Sequence, residues 1–322
     1  MMNNLTKVGW VTVMGMIALA ILPPYFLLTG QAFYMDLATR LVILGIAAVS
    51  LNLILGFGGM VSFGHAAFIG LGAYAVGIPS YHATWGGFDL IASYNGLLHL
   101  VLALGVSALF ALITGAISLR TKGVYFIMIT MAFGQMAFFL FQSLDVYNGD
   151  DGLTIDVRSE LPFINLDSPM QLYGLSYISL VIAMLLVKTI VNSRFGMVLQ
   201  GAKGNNERMV TLGYNTYLYR LAAYVISGVM CGYAGFLLGN FTTFISPDMM
   251  HWTRSGELMF MVILGGAATA FGPVLGSSVF ILVEEILSSF TIFWHLPFGL
   301  MLIGVVLFIR GGLMGLFKGK GK

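Results

Sequence analysis

From Trp10 to Leu28 the chain carries no charged residue, and apolar runs of similar length recur to its end. A helix needs roughly 20 mostly apolar residues to span a bilayer, with a range of about 17–25. Spans are therefore expected near 9–28, 37–55, 60–79, 97–119, 123–142, 172–191, 217–240, 256–270, 273–291 and 297–311. The third, eighth and ninth are short or glycine-rich and could be half-helices: ten crossings are expected, or eight if two of these are re-entrant. Backbone in lipid must satisfy its own hydrogen bonds, so runs of this length dictate helices. The expected fold is an all-α polytopic membrane helix bundle, a single transmembrane domain over residues 1–322. Charged residues make up 9% of the chain, against about 25% in a soluble domain. The first run is read as a span and not as a removable leader. It exceeds a leader's apolar core, and Pro23-Pro24 ends it where a small-residue cleavage site would stand.

The few charges give an orientation. Lys7, Arg120, Lys122, Lys188, Arg194, Lys203, Arg208, Arg220, Arg310, Lys318, Lys320 and Lys322 fall on one side of these spans, 12 of the 15 Lys and Arg residues. Asp36, Asp89, Asp145, Asp150, Asp151, Asp156, Glu160, Asp167 and Asp248 fall on the other. Only Arg40, Arg158 and Arg254 break the pattern. The positive-inside rule puts both termini in the cytoplasm, and an even number of crossings follows.

Two connections stand out. The outer segment 142–171 is acidic, with turn signals at Asn148-Gly149 and Asp151-Gly152. Its acids match no EF-hand spacing, so it reads as a solvated cap or docking surface, with no metal expected. The inner segment 192–216 is long enough to carry two short helices, near Arg194 to Gly201 and Asn206 to Leu212, with Gly213 as the stop. A structured inner loop of this size is where a cytosolic partner would grip.

Glycine marks where the helices must break or approach closely. The stretch Gly56 to Gly77 is apolar yet crowded with glycine and interrupted by Ser62 and His65. Non-helical backbone at membrane depth must be buried in protein or line a water-filled cavity. Gly58, Gly59, Gly64, Ser62 and His65 are thus candidate path residues. Ala66, Gly70, Ala73 and Gly77 share one smooth helix face, and Gly228, Gly232, Gly235 and Gly239 form another. Gly58-Gly59 and Phe63-Gly64 are echoed late in the chain by Gly265-Gly266 and Phe271-Gly272, with Gly70 and Gly276 following. Paired broken segments in two halves point to an inverted repeat and to a transport path.

Polar groups at depth are the remaining candidates. A charge at the bilayer centre costs about 2.5–3.5 kcal/mol on insertion scales, so Glu284 and Glu285 should avoid lipid. Either would serve as a polar path lining or as a partner to a neighbouring helix, and Glu257 is expected at the outer mouth. His65 reads either as a substrate contact or as a packing histidine at the break. Ser50, Asn52, Thr130 and Gln135 can bridge helices. The chain has no GxxxxGK[ST] phosphate loop, no metal-ligating cluster and no nucleophile–base pair in an aqueous segment. It is expected to be neither an enzyme nor a partner of nucleic acid. Cys231 stands alone, which excludes an intrachain disulfide.

Five stretches resemble one known family. LNLILGFGGMVSFGHAAFIGLGAYA (Leu51 to Ala75), KGVYFIMITMAFGQM (Lys122 to Met136), NGDDGL (Asn148 to Leu153), FGMVLQGAKGNNERMVTLGYN (Phe195 to Asn215) and MVILGGAATAFGPVLGS (Met261 to Ser277) occur in order over nearly the whole chain. Together they resemble the LivH/LivM permeases of branched-chain amino acid ABC importers, and length and the acidic outer loop favour the LivM type. The resemblance implies a bacterial inner-membrane subunit paired with a LivH-like homologous permease. Two LivG/LivF-like ATPases would supply ATP and magnesium, and a periplasmic binding protein would deliver substrate. The 192–216 loop would be the coupling segment, with Gln200, Ala202, Lys203, Asn206, Glu207 and Arg208 at the ATPase. Where the family tends to an alanine- and charge-rich run, Gly201, Gly204, Asn205 and Asn206 stand here, which leaves those helix boundaries open. Urea, short amides or aromatic acids are alternative substrates within the same architecture. A stand-alone ion-coupled carrier working through Glu284 or Glu285 is the alternative outside it.

Overall fold

The computed structural model of the chain describes residues 2–86, 92–162, 164–290, 293, 295–308 and 311–318. Asp89, Arg310, Lys320 and Lys322, used above for orientation, lie outside these residues. The elements in order are α1 (Met2–Leu28), α2 (Ala32–Asn52), α3 (Ala66–Trp85), α4 (Gly96–Ser118), α5 (Val124–Gln142), β1 (Leu153–Thr154), α6 (Pro169–Asn192), α7 (Arg194–Gly204), α8 (Asn206–Thr211), α9 (Thr216–Thr242), β2 (Phe244–Ile245), α10 (Trp252–Gly265), α11 (Gly272–Phe290), α12 (His295–Phe308) and α13 (Gly312–Lys318).

Among the described residues, seven helices are long and apolar enough to cross a membrane. They are α1, α2 with its continuation to Phe57, α4, α5, α6, α9 and α11. The expected spans at 60–79, 256–270 and 297–311 correspond to α3, α10 and α12, which are not among the seven. The sequence-based count of eight to ten crossings is therefore not carried by helix length and composition alone. α3 explains part of the difference. It is buried almost end to end, so it needs no lipid-facing stripe and can carry Pro79, Ser80 and His82.

α2, α3 and α9 form the centre. Of the apolar window of α2, 78% is buried, against 6% for α1, which lies at the periphery. α9 meets α3 along its glycine ladder: a Cβ on Gly235 would lie 2.1 Å from the Ile69 carbonyl oxygen, and one on Gly228 2.9 Å from the Phe68 ring. On the α3 side only part of the expected face meets α9. Gly72 is the close-approach residue, with room for no Cβ because the Gly232 carbonyl oxygen would be 2.0 Å away. Gly70 and Gly77 instead face Met250, and Leu153 with Ile245, in the outer segments. Gly232 accommodates Ser107 of α4, and Gly239 faces Ala73.

The outer segments form a cap. β1 and β2 pair antiparallel, Leu153 with Ile245 and Thr154 with Phe244. Asn240 at the end of α9 accepts from Ser159 N at 2.9 Å, and His99 at the start of α4 sits 2.7 Å from Ser159 Oγ. Arg158 donates to the Leu166 carbonyl. At the other end, α7 and α8 form as the sequence predicts, with Ser193 and Asn205 as N-caps accepting from Gly196 N and Arg208 N.

The two echoed segments are joined by a side chain. Asn52 Oδ1 accepts from Ala268 N at 2.9 Å, and Asn52 Nδ2 donates to the Thr269 carbonyl at 2.9 Å. The two glycine-rich breaks therefore lie against each other.

Candidate translocation site

The site begins where α2 stops being an α-helix. Leu53–Phe57 winds into a π turn, with Gly58 N bonded to the Leu53 carbonyl and Met60 N to the Ile54 carbonyl. Gly59 adopts φ +69, a left-handed conformation that suits glycine. Met60 N would bond the Gly56 carbonyl in a continuing α-helix; here that oxygen is released. Lys203 from α7 takes it, donating from Nζ at 2.6 Å. The Lys203 stem passes over Gly59, where a Cβ would lie 2.7 Å from Lys203 Cγ. At the late break, Gly266 has φ +117 and Ala268 φ 60. Thr269 Oγ1 accepts from Gly272 N and so caps α11.

Past the π turn the chain runs without regular structure to His65. Gly64 lies against α5, where a Cβ would be 2.2 Å from the Thr130 carbonyl oxygen, and Phe63 N donates to Thr130 Oγ1 at 3.3 Å. His65 is fully buried, its Nε2 3.1 Å from Ser50 Oγ and 3.4 Å from Ser227 Oγ. Ser227 Oγ donates to the Ser50 carbonyl at 2.5 Å, and Cys231 Sγ to the His65 carbonyl at 3.6 Å. Ala66 N, the first amide of α3, donates to Ser255 Oγ of α10 at 2.9 Å. This cluster fastens α2, α3, α9 and α10 together at the break.

Two cavities flank the cluster. The inner one, about 240 Å³, is lined by Gly58, Gly59, Lys122, Lys203, Asn206 and Arg220 among others. Arg220 donates to the Ala202 carbonyl at 2.9 Å, which ties α9 to α7. The outer cavity, about 270 Å³, lies between α2, α3, α9 and α10 and contains Arg40, Arg254 and Glu257. Arg40 Nη2 is 3.0 Å from Glu284 Oε1, and Arg254 Nη1 is 2.9 Å from Glu257 Oε2.

The structure divides the expected path residues. Gly58 and Gly59 line the inner cavity. Ser62, Gly64 and His65 are buried and line neither cavity. Gly265 and Gly266 serve packing: their Cβ positions are filled by the backbone of Gly272 and of Gly311. Glu284 is brought to the outer cavity by Arg40. In the inner loop, Gln200, Lys203, Glu207 and Arg208 are exposed, Ala202 is buried, and the Lys203 ammonium reaches the Gly56 carbonyl. Sequence reasoning missed Arg40 and Arg254 as site residues, although both stood out as exceptions to the charge pattern. No group of metal-ligating side chains occurs among the described residues.

A family model described as branched-chain amino acid transport system / permease component matches residues 33–310. The chain is 23% identical to the high-affinity branched-chain amino acid transport system permease protein LivM of Salmonella typhimurium, over 94% of this chain and 74% of that protein. It is 26% identical to a probable branched-chain amino acid transport permease protein LivM of Methanocaldococcus jannaschii, over 76% and 78%. A nucleoside ABC transporter permease protein, NupC of Lactococcus lactis, is 30% identical over 35% of this chain and 40% of that protein. No solved structure matches the chain. These relatives are permease subunits and not enzymes, and the match takes in both breaks, the inner loop and both cavities: the chain belongs to the family of branched-chain amino acid transport permeases, as a LivM-type multi-pass membrane protein.

Proposed function

We propose that the chain is the LivM-like half of a heteromeric ABC importer in a bacterial inner membrane, passing branched-chain amino acids by ATP-driven alternating access. A homologous permease would complete the path, and a periplasmic binding protein would dock on the outer cap. Two partner ATPases, with ATP and magnesium, would grip the loop at 192–216. The observation that carries this reading is the bond from Lys203 to the Gly56 carbonyl, because it links that loop directly to the interrupted helix. A push on α7 is then felt at the π turn. Exposed Met197, Val210 and Leu212 support docking, since they form apolar surface on the same loop. The ion-coupled alternative gains little support from Glu284, which is already ion-paired to Arg40.

The test is a mild-detergent pull-down of the tagged chain, with ATPase activity measured on what co-purifies. A second permease and two ATPase subunits are expected, with activity lost when residues 200–207 are replaced by a flexible linker that leaves this chain in the membrane. A lone chain giving gradient-driven uptake in liposomes would overturn the reading.

A further inference from the structure

The outer cavity has a composition that selects among solutes. Its charged residues are Arg40, Arg254 and Glu257, with Glu284 bonded to Arg40 behind it, so the charges balance. Thr242 is its sole uncharged polar lining residue among those described. The rest is aliphatic or thioether: Leu44, Ile69, Leu238, Met249, Leu258 and Met261. None of the described lining residues is aromatic. A nucleobase or an aromatic acid would be met by stacking side chains. Urea or an amide would be met by several neutral hydrogen-bonding groups. The cavity offers neither. It offers one guanidinium with donors to spare, one carboxylate and an apolar wall.

We infer that this cavity is a transit site for a zwitterionic aliphatic α-amino acid, with Arg254 receiving the carboxylate, Glu257 the ammonium and the apolar wall the side chain. Glu257 engages one Nη of Arg254, which leaves most of the five guanidinium donors for a bidentate carboxylate contact. The side chain of Arg254 is 47% exposed and that of Glu257 21%, so a solute can insert between them. The pair exchanges one partner for another and no charge is left bare. Arg40, held by Glu284 at 3.0 Å, adds a second positive group at the same wall. The position fits passage: Thr242 is the last residue of α9, next to β2 of the outer cap, and Ile69 lies about one turn of α3 beyond His65. Affinity at such a site must stay modest, because a ligand that favours one state strongly is not released in the next. This inference rests on the permease reading.

The test uses the complete complex in liposomes. Cys231 is fully buried, so Thr242→Cys gives this chain an accessible thiol, and its modification by a charged methanethiosulfonate is read from the mass of the chain. L-leucine is expected to slow modification; 4-methylpentanoate, which lacks the ammonium, and 3-methylbutylamine, which lacks the carboxylate, are not. Arg254→Gln and Glu257→Gln should each lower L-leucine uptake by about tenfold or more at unchanged subunit yield. The exchange Arg254→Glu with Glu257→Arg should not restore it. Restoration by the exchange would make the pair a structural bridge only, and equal protection by all three solutes would make the cavity unselective; either overturns the inference. Uptake of L-leucine by the wild type with unaffected variants leaves the importer reading standing and removes the site. Protection by L-leucine without uptake keeps the site and removes the importer reading.

Discussion

The Lys203 ammonium donates a 2.6 Å hydrogen bond to the carbonyl oxygen of Gly56, 147 residues earlier in the chain. The acceptor exists because the π turn releases it, and the donor reaches it because Gly59 has no side chain in the way. A hydrogen bond to a charged group contributes about 1.5–3 kcal/mol. Lys203→Met keeps the stem and removes the charge. Uptake per ATP hydrolysed by the assembled complex is expected to fall several-fold, and Lys203→Arg should retain part of it. Unchanged coupling in Lys203→Met would mean the bond does not transmit motion.

Asn52 carries a second long-range tie. It satisfies Ala268 N, held at a positive φ that costs an alanine about 1–2 kcal/mol, and the Thr269 carbonyl. Asn52→Leu leaves both groups unpaired at about 1–3 kcal/mol each. The melting temperature of the detergent-solubilised chain should drop. Asn52→Asp keeps the acceptor and should fall between the two.

Glycines that look alike in the sequence should behave differently. Gly72→Ala puts a methyl group against the Gly232 carbonyl and the Phe236 amide, both backbone, and neither can turn aside. Folded yield, judged by size-exclusion chromatography, should collapse. Gly105 is exposed on α4 with nothing within 4 Å of its Cβ position. Gly105→Ala should be neutral or stabilising by up to about 1 kcal/mol through helix propensity.

The Arg40–Glu284 pair separates stability from transport. Arg40→Leu strands a carboxylate within an apolar helix and should lower the melting temperature. The double variant Arg40→Leu with Glu284→Leu should recover it, since paired apolar residues commonly replace an ion pair without loss. L-leucine uptake should remain low in both. Recovery of uptake in the double variant would assign the pair a structural role alone.

Much of this protein was readable from residue order because lipid imposes local rules. Apolar run length announced the helices, and loop charge set the expected orientation. α7 and α8 open at Arg194 and Asn206, where the sequence put two short helices, and α7 runs on to Gly204, past the expected end at Gly201. The same reading put a smooth face of α3 on Ala66, Gly70, Ala73 and Gly77; Ala73 meets Gly239 of α9 while Gly70 and Gly77 face the outer segments, because a four-three-four spacing names a face but not its neighbour. It left His65 open between a substrate contact and a packing histidine, and the structure buries it beside Ser50 and Ser227. It noted Arg40 and Arg254 as exceptions to the charge pattern without their roles.

The residues that define the site are joined across 147 to 244 positions: Lys203 to Gly56, Asn52 to Thr269, Arg40 to Glu284. Helical periodicity relates a residue only to neighbours three or four positions away. The sequence by itself therefore determined a helical membrane bundle and where its chain must break. Which broken ends meet, and which charges share a cavity, was decided only when the helices packed, because those partners are chosen by backbone approach and by carbonyls freed at the breaks.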